Sequence, residues 1–107
     1  MIPGSYYLDS DGYPRAEFRP PFELLGWFLG DDVQRSPETC DMLLAICEDI
    51  KSGKQKEWQG TGNAHTVTIT AEGVHVENEF SDFYPPCDLS IDDFIDVLSR
   101  WKTLIEV

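Results

Sequence analysis

The spacing of apolar positions divides this chain into short alternating stretches and longer helical ones. In "SYYLDSDGYPRAEFRP" two short runs flank an Asp- and Gly-bearing turn, which predicts two strands in a hairpin. Pro14 places the second strand at an edge or delays its start, and Pro20 and Pro21 end it. "FELLGWFLGDDV" spaces Phe22, Leu25, Leu29 and Val33 near a helical period, although Gly26 and Gly30 weaken that short helix. A longer helix follows. Ser36 caps it, Pro37 suits its first position and Glu38 suits its positive start. Cys40, Leu43, Leu44, Cys47 and Ile50 form its apolar stripe, and Lys51 and Gly53 mark its end.

A second hairpin lies in "KEWQGTGNAHTVTITAEGVHVENEF". Val67 and Ile69 alternate with Thr66, Thr68 and Thr70. Val74 and Val76 alternate with His75, Glu77 and Glu79, with Gly73 at the turn. One face of such a pair is dry and the other wet. The same phase assigns Phe80 to the core. The last helix starts at Ser90, with Asp93 completing a capping-box pattern. Ile91, Phe94, Ile95, Leu98, Trp101 and Ile105 form its buried face. The expected fold is a single α+β domain over residues 1–107, ordered ββ-α-ββ-α, with an antiparallel sheet of about four strands and helices on one face.

Composition narrows the function. Apolar residues make up 41% of the chain, including six phenylalanines, four tyrosines and three tryptophans, enough for one core. Trp27, Trp58 and Trp101 each sit beside apolar neighbours and are assigned to it. Twenty acidic residues against eight basic ones give a net charge of -12. That field repels nucleic acid and anionic membranes and favours a basic partner. The start lacks the basic region of a secretion signal, and "LLGWFLG" is too short to span a bilayer. Three cysteines without a CxxC pair favour a reducing, cytoplasmic setting.

The chemistry-bearing residues form no catalytic constellation. "GTGNAH" lacks the third glycine of a dinucleotide loop and precedes a strand. His65 and His75 fall on different strand faces, so no three ligands converge on a metal. A partly buried His65 and an exposed His75 are expected. Cys40 and Cys47 are core fillers. Seven helical residues separate them by about 10 Å, beyond the roughly 7 Å reach of a disulfide. Cys87 lies in an expected loop, with Asp88 opposing thiolate formation. The acid pairs Asp31–Asp32 and Asp92–Asp93 read as solvated charge. No cofactor, metal or catalytic residue is expected.

The run "ENEFSDFYPPCDLSIDD", Glu77 to Asp93, combines six carboxylates with three rings and no Lys, Arg or His. Glu77 and Glu79 lie on the wet strand face, Asp82 and Asp88 flank a loop, and Asp92, Asp93 and Asp96 line the exposed side of the last helix. Phe83 and Tyr84 either seal the core edge or serve as aromatic anchors within an acidic rim. These nine residues are the candidate partner-binding set.

In order and spacing, "ELLGWFLGDDV", the polar-capped helix, "KEWQGTGNAHTVTITAEGVHV" and "LSIDDFIDVLSRW" resemble the small acidic YacL-like bacterial proteins and related immunity proteins of contact-dependent growth inhibition systems. The resemblance implies an α+β protein without a catalytic motif. On its immunity branch it implies stoichiometric neutralisation of a cognate toxin C-terminal domain, often a basic nuclease. On the YacL-like branch it implies a regulatory or housekeeping protein partner. A small enzyme using Asp and His is the third reading, and it lacks a constellation.

Overall fold

Asp9 makes the first turn of the chain. In the computed structural model, which describes residues 1–106, its Oδ1 accepts the backbone N–H groups of Asp11 and Tyr13, each at 2.9 Å. Its Oδ2 accepts Arg15 Nε at 2.9 Å. This turn joins β1 (Gly4–Leu8) to β2 (Pro14–Phe18), antiparallel with Tyr6 opposite Ala16. Pro14 opens the second strand, as its missing N–H requires.

Helix α1 (Glu23–Phe28) follows and widens into one π turn over Leu29–Val33. Gln34 ends it at a φ of 56°, a conformation that side chains rarely adopt. Helix α2 (Pro37–Lys51) has the expected cap, with Ser36 Oγ accepting Thr39 N–H at 3.1 Å. Helix α3 (Ile91–Ile105) starts in the same way, with Ser90 Oγ accepting Asp93 N–H at 3.0 Å.

The main sheet is antiparallel and runs β3 (Glu57–Thr61), β4 (His65–Thr70), β5 (Gly73–Asn78), β6 (Cys87–Leu89), each strand beside the next. The β4–β5 register pairs Val67 with Val76 and Ile69 with Val74, so the four branched side chains share the inner face. Gly73 closes the hairpin at φ 146°, and a side chain there would press on the Leu89 carbonyl. The architecture is the expected α+β one. Its two outer strands, however, are β3 and β6, neither among the four expected strands and β6 from within the presumed loop, whereas β1 and β2 form a sheet of their own. At Gly26, α1 crosses β2 so closely that a Cβ would strike the Ala16 carbonyl, which packs this hairpin against the helix.

Trp101, Phe94, Leu98 and Val97 of α3 are fully buried against Cys40, Leu43 and Cys47 of α2, Leu25 and Leu29 at α1, and the sheet's inner face. Each such side chain contributes roughly 1.5–3 kcal/mol relative to exposure. Trp101 also donates its indole N–H to the Gln34 carbonyl at 2.8 Å, which satisfies the ring and braces the unusual backbone. Burial raises the Cys40 and Cys47 thiols to about 11.

Several expectations fail locally. Cys87 is buried, because residues 87–89 alternate inward, outward, inward; its thiol donates to the Pro21 carbonyl at 3.3 Å. Phe80 is 80% exposed, since β5 stops at Asn78 and the strand phase stops with it. Trp27 is 52% exposed and Trp58 only half-buried at the core margin; Ile95 and Ile105 are also half-buried. Among the described residues no helix is long and apolar enough to cross a membrane.

Two outcomes are expected. Gly26→Ala should cost about 1–3 kcal/mol in urea unfolding through the forced separation of α1 and β2. Gly30→Ala, which meets no atom within 4 Å, should cost nothing comparable. The Asp9 carboxyl is held below its usual 3.8, first by the Tyr13 N–H and then by Arg15. A depressed carboxyl stabilises the fold above its unfolded pKa, and that contribution is lost as pH falls through the folded one. Amide protection at Asp11 and Tyr13, the two amides the carboxylate holds, should therefore drop below about pH 4, and Asp9→Asn should abolish that pH dependence.

Candidate functional site: an aromatic groove

Helix α1 turns Leu24, Leu25 and Phe28 inward, which leaves Trp27 on its outer side. The loop 79–86 returns to meet it. Asn78 Oδ1 accepts the N–H groups of Phe80 at 2.8 Å and Ser81 at 2.9 Å, and Ser81 Oγ accepts Phe83 N–H at 3.1 Å. These bends carry Tyr84 over Trp27, with ring centroids 6.4 Å apart and planes inclined by 27°. Phe83 stands edge-on against Tyr84 at 4.9 Å and is itself 80% exposed.

A depression opens on each side of this stack. One, of about 490 Å³, is walled by β2 and α1 and includes Tyr7, Arg15, Glu17 and Glu23. The other, of about 250 Å³, includes Leu24, Asn78, Ser81 and Phe83. Trp27, Asp31 and Tyr84 border both, so the two form one groove.

The π turn carries two adjacent acids that point different ways. Asp31 is exposed on the groove, while the Asp32 carboxylate points inward and is only 4% exposed. It accepts Ala64 N–H at 3.1 Å, His65 N–H at 2.9 Å and His65 Nδ1 at 3.0 Å. His65 is fully buried, and its Nε2 faces Asn78 Nδ2 at 3.4 Å. Because Asn78 Oδ1 is taken by the loop amides, its Nδ2 is the donor to Nε2, and the imidazole proton sits on Nδ1 toward Asp32. A continuous chain of hydrogen bonds therefore runs from the π turn through β4 and β5 to the aromatic loop. Both ring nitrogens of His65 are occupied and out of contact with solvent. The expectation that Asp32 is solvated is thus corrected: four residues beyond the buried Phe28, it falls on the inward side and meets the amides of the β3–β4 turn.

The nine candidate residues separate into three places. Phe83 and Tyr84 belong to the groove, with Asp82 exposed beside them on the loop. Glu77 and Asp88 flank His75 on the outer face of the sheet, with Asp88 Oδ1 2.7 Å from His75 Nδ1 and Glu77 Oε2 4.0 Å from Nε2. Glu79 accepts the Thr66 hydroxyl nearby. Asp92, Asp93 and Asp96 lie on the helical layer, each beside a cation: Lys51 Nζ at 2.7 Å, the Met1 amine at 2.9 Å and Arg100 Nε at 3.1 Å. The Met1 amine holds the Asp93 carboxyl below its usual value. A run without bases in sequence is therefore partly neutralised in the fold. The groove's missed members are Trp27, Asp31 and Asn78. Trp27 was legible in principle, since it falls opposite the stripe of Leu25, Leu29 and Val33 at 100° per residue.

Residues 5–84 match an uncharacterised protein family, UPF0231. The chain belongs to that family. The match takes in every residue of the groove and stops short of β6 and α3. UPF0231 proteins of Proteus mirabilis, Cronobacter sakazakii and Photorhabdus laumondii are similar along nearly the whole chain. The first is 24% identical and the other two 25%, over 94% of this chain and 92–93% of theirs. Their names state no activity or partner. No solved structure matches the chain significantly.

Asp32→Ala should cost about 3–5 kcal/mol, because it strands three buried donors. Asp31→Ala, one residue away and exposed, should change stability by no more than about 0.5 kcal/mol. Equilibrium urea unfolding of the two variants checks this contrast.

Proposed function

We propose that this UPF0231 protein is a non-catalytic binding protein whose partner is a basic protein. The observation that carries the reading is the exposed cluster of Trp27, Tyr84 and Phe83 beside Asp31 and Asp82. Large rings desolvated at the centre of an interface supply most of its affinity, and surrounding charge supplies steering and selectivity. The net charge of -12 supports a partner of opposite sign and opposes nucleic acid. Neutralisation of a basic toxin domain, the expectation attached to the immunity resemblance, is the most specific form of this reading. A YacL-like protein with a regulatory partner would use the same physics.

Co-expression with the products of its neighbouring genes, followed by purification, should yield a stoichiometric complex with a basic protein. Its association should slow as salt rises from about 10 mM to about 150 mM, because the long-range attraction is screened. Glu77→Lys, Glu79→Lys and Asp82→Lys together should slow association by at least about tenfold. A complex with an acidic partner, or association indifferent to salt, would falsify the reading.

A further inference from the structure

Three carboxylates at the groove, Glu17, Glu23 and Asp31, take part in no ion pair among the described residues. The one cation in the groove wall, Arg15, is held by Asp9 at 2.9 Å. The groove thus joins a half-exposed indole, a tyrosine ring and uncompensated negative charge, and it continues on both sides of the aromatic stack. Each feature selects the same ligand. A ring face attracts a cation, and a planar guanidinium both stacks on indole and bonds carboxylates in two-pronged fashion, which an ammonium cannot do. Elsewhere on the molecule an arginine already uses an aromatic face: Arg35 Cζ lies 5.5 Å from the Tyr13 ring centroid. A space that extends beyond one side chain suits an extended segment of chain rather than a small amine.

We infer that the groove at Trp27 and Tyr84 receives an arginine side chain from an extended basic segment of the partner protein, with the guanidinium against the indole and paired to Asp31 and Glu23. This rests on the basic-partner reading and adds to it the surface and the side chain recognised. Asn78 acts as a positioning residue, because its amide holds the bends that set Tyr84 on Trp27.

The test uses three capped peptides in which glycine alternates with arginine, with lysine or with uncharged citrulline. Each is titrated into the full-length labelled protein at low salt. Binding is followed by the indole N–H resonances in NMR, with Trp101, bonded to the Gln34 carbonyl, as the internal control for folding. The arginine peptide should move the Trp27 indole and the Asp31 amide saturably. The lysine peptide should bind more weakly at the same place, and the citrulline peptide should not bind. Trp27→Ala should weaken the arginine peptide by about fivefold or more, the range of a partly desolvated cation–π contact. Asp31→Asn with Glu23→Gln should equalise arginine and lysine. Saturable shifts confined to the Glu77 and Asp88 face, or affinity unchanged by Trp27→Ala while Trp101 stays in place, would overturn the groove and leave the basic-partner reading standing. Absence of binding by either basic peptide would overturn both.

Discussion

One buried carboxylate ties the two layers of this protein together. Asp32 leaves the helical layer at the π turn and accepts three N–H donors from the start of β4. A carboxylate removed from water is costly unless its lone pairs are filled, so the wide turn and the β3–β4 turn can exist only in register with one another. The same contact orients His65, which orients Asn78, which folds the loop bearing Phe83 and Tyr84. The geometry of the groove therefore depends on a charge that never reaches it.

The three tryptophans show how packing sorts identical side chains. Trp101 is enclosed because α3 lies over the core and the Gln34 carbonyl is available for its N–H. Trp58 lies along β3, an outer strand of the main sheet, with Gly60 beneath its ring, and is only half-buried against the core. Trp27 occupies the outer side of a short helix whose inner side is already filled by Leu24, Leu25 and Phe28. Tyr84 stacks on its ring, and the residue stays 52% exposed.

Charge is sorted in a similar way. On the helical layer, acids find local cations: Asp41 with Lys102, Asp92 with Lys51, Asp96 with Arg100. Exposed pairs of this kind add little stability, but they reduce the outward field of those surfaces. Around the groove, Glu17, Glu23 and Asp31 keep theirs. A net charge of -12 is thus expressed unevenly, and the aromatic surface lies where it is less compensated.

Local rules in the sequence were enough for the α+β class, for α2 and α3 with their serine caps, and for the β4–β5 hairpin. Those elements are specified by periodicity and capping within a few residues, and the structure obeys both. The pairing of Phe83 with the groove was open in sequence as one of two alternatives. Tertiary structure alone decided the rest. Strand β6 is three residues long, too short for a periodic signal, and exists because β5 offers it an edge. The first hairpin forms a sheet of its own and packs against α1 through a close crossing at Gly26, a contact between residues ten apart that no local pattern encodes. Asp32 lies four residues beyond the buried Phe28, on the inner side of the helical turn, but the amides that make its burial tolerable come from the β3–β4 turn, 32 and 33 residues away. Composition sees two acids there; only the backbone path determines which is buried and which faces solvent.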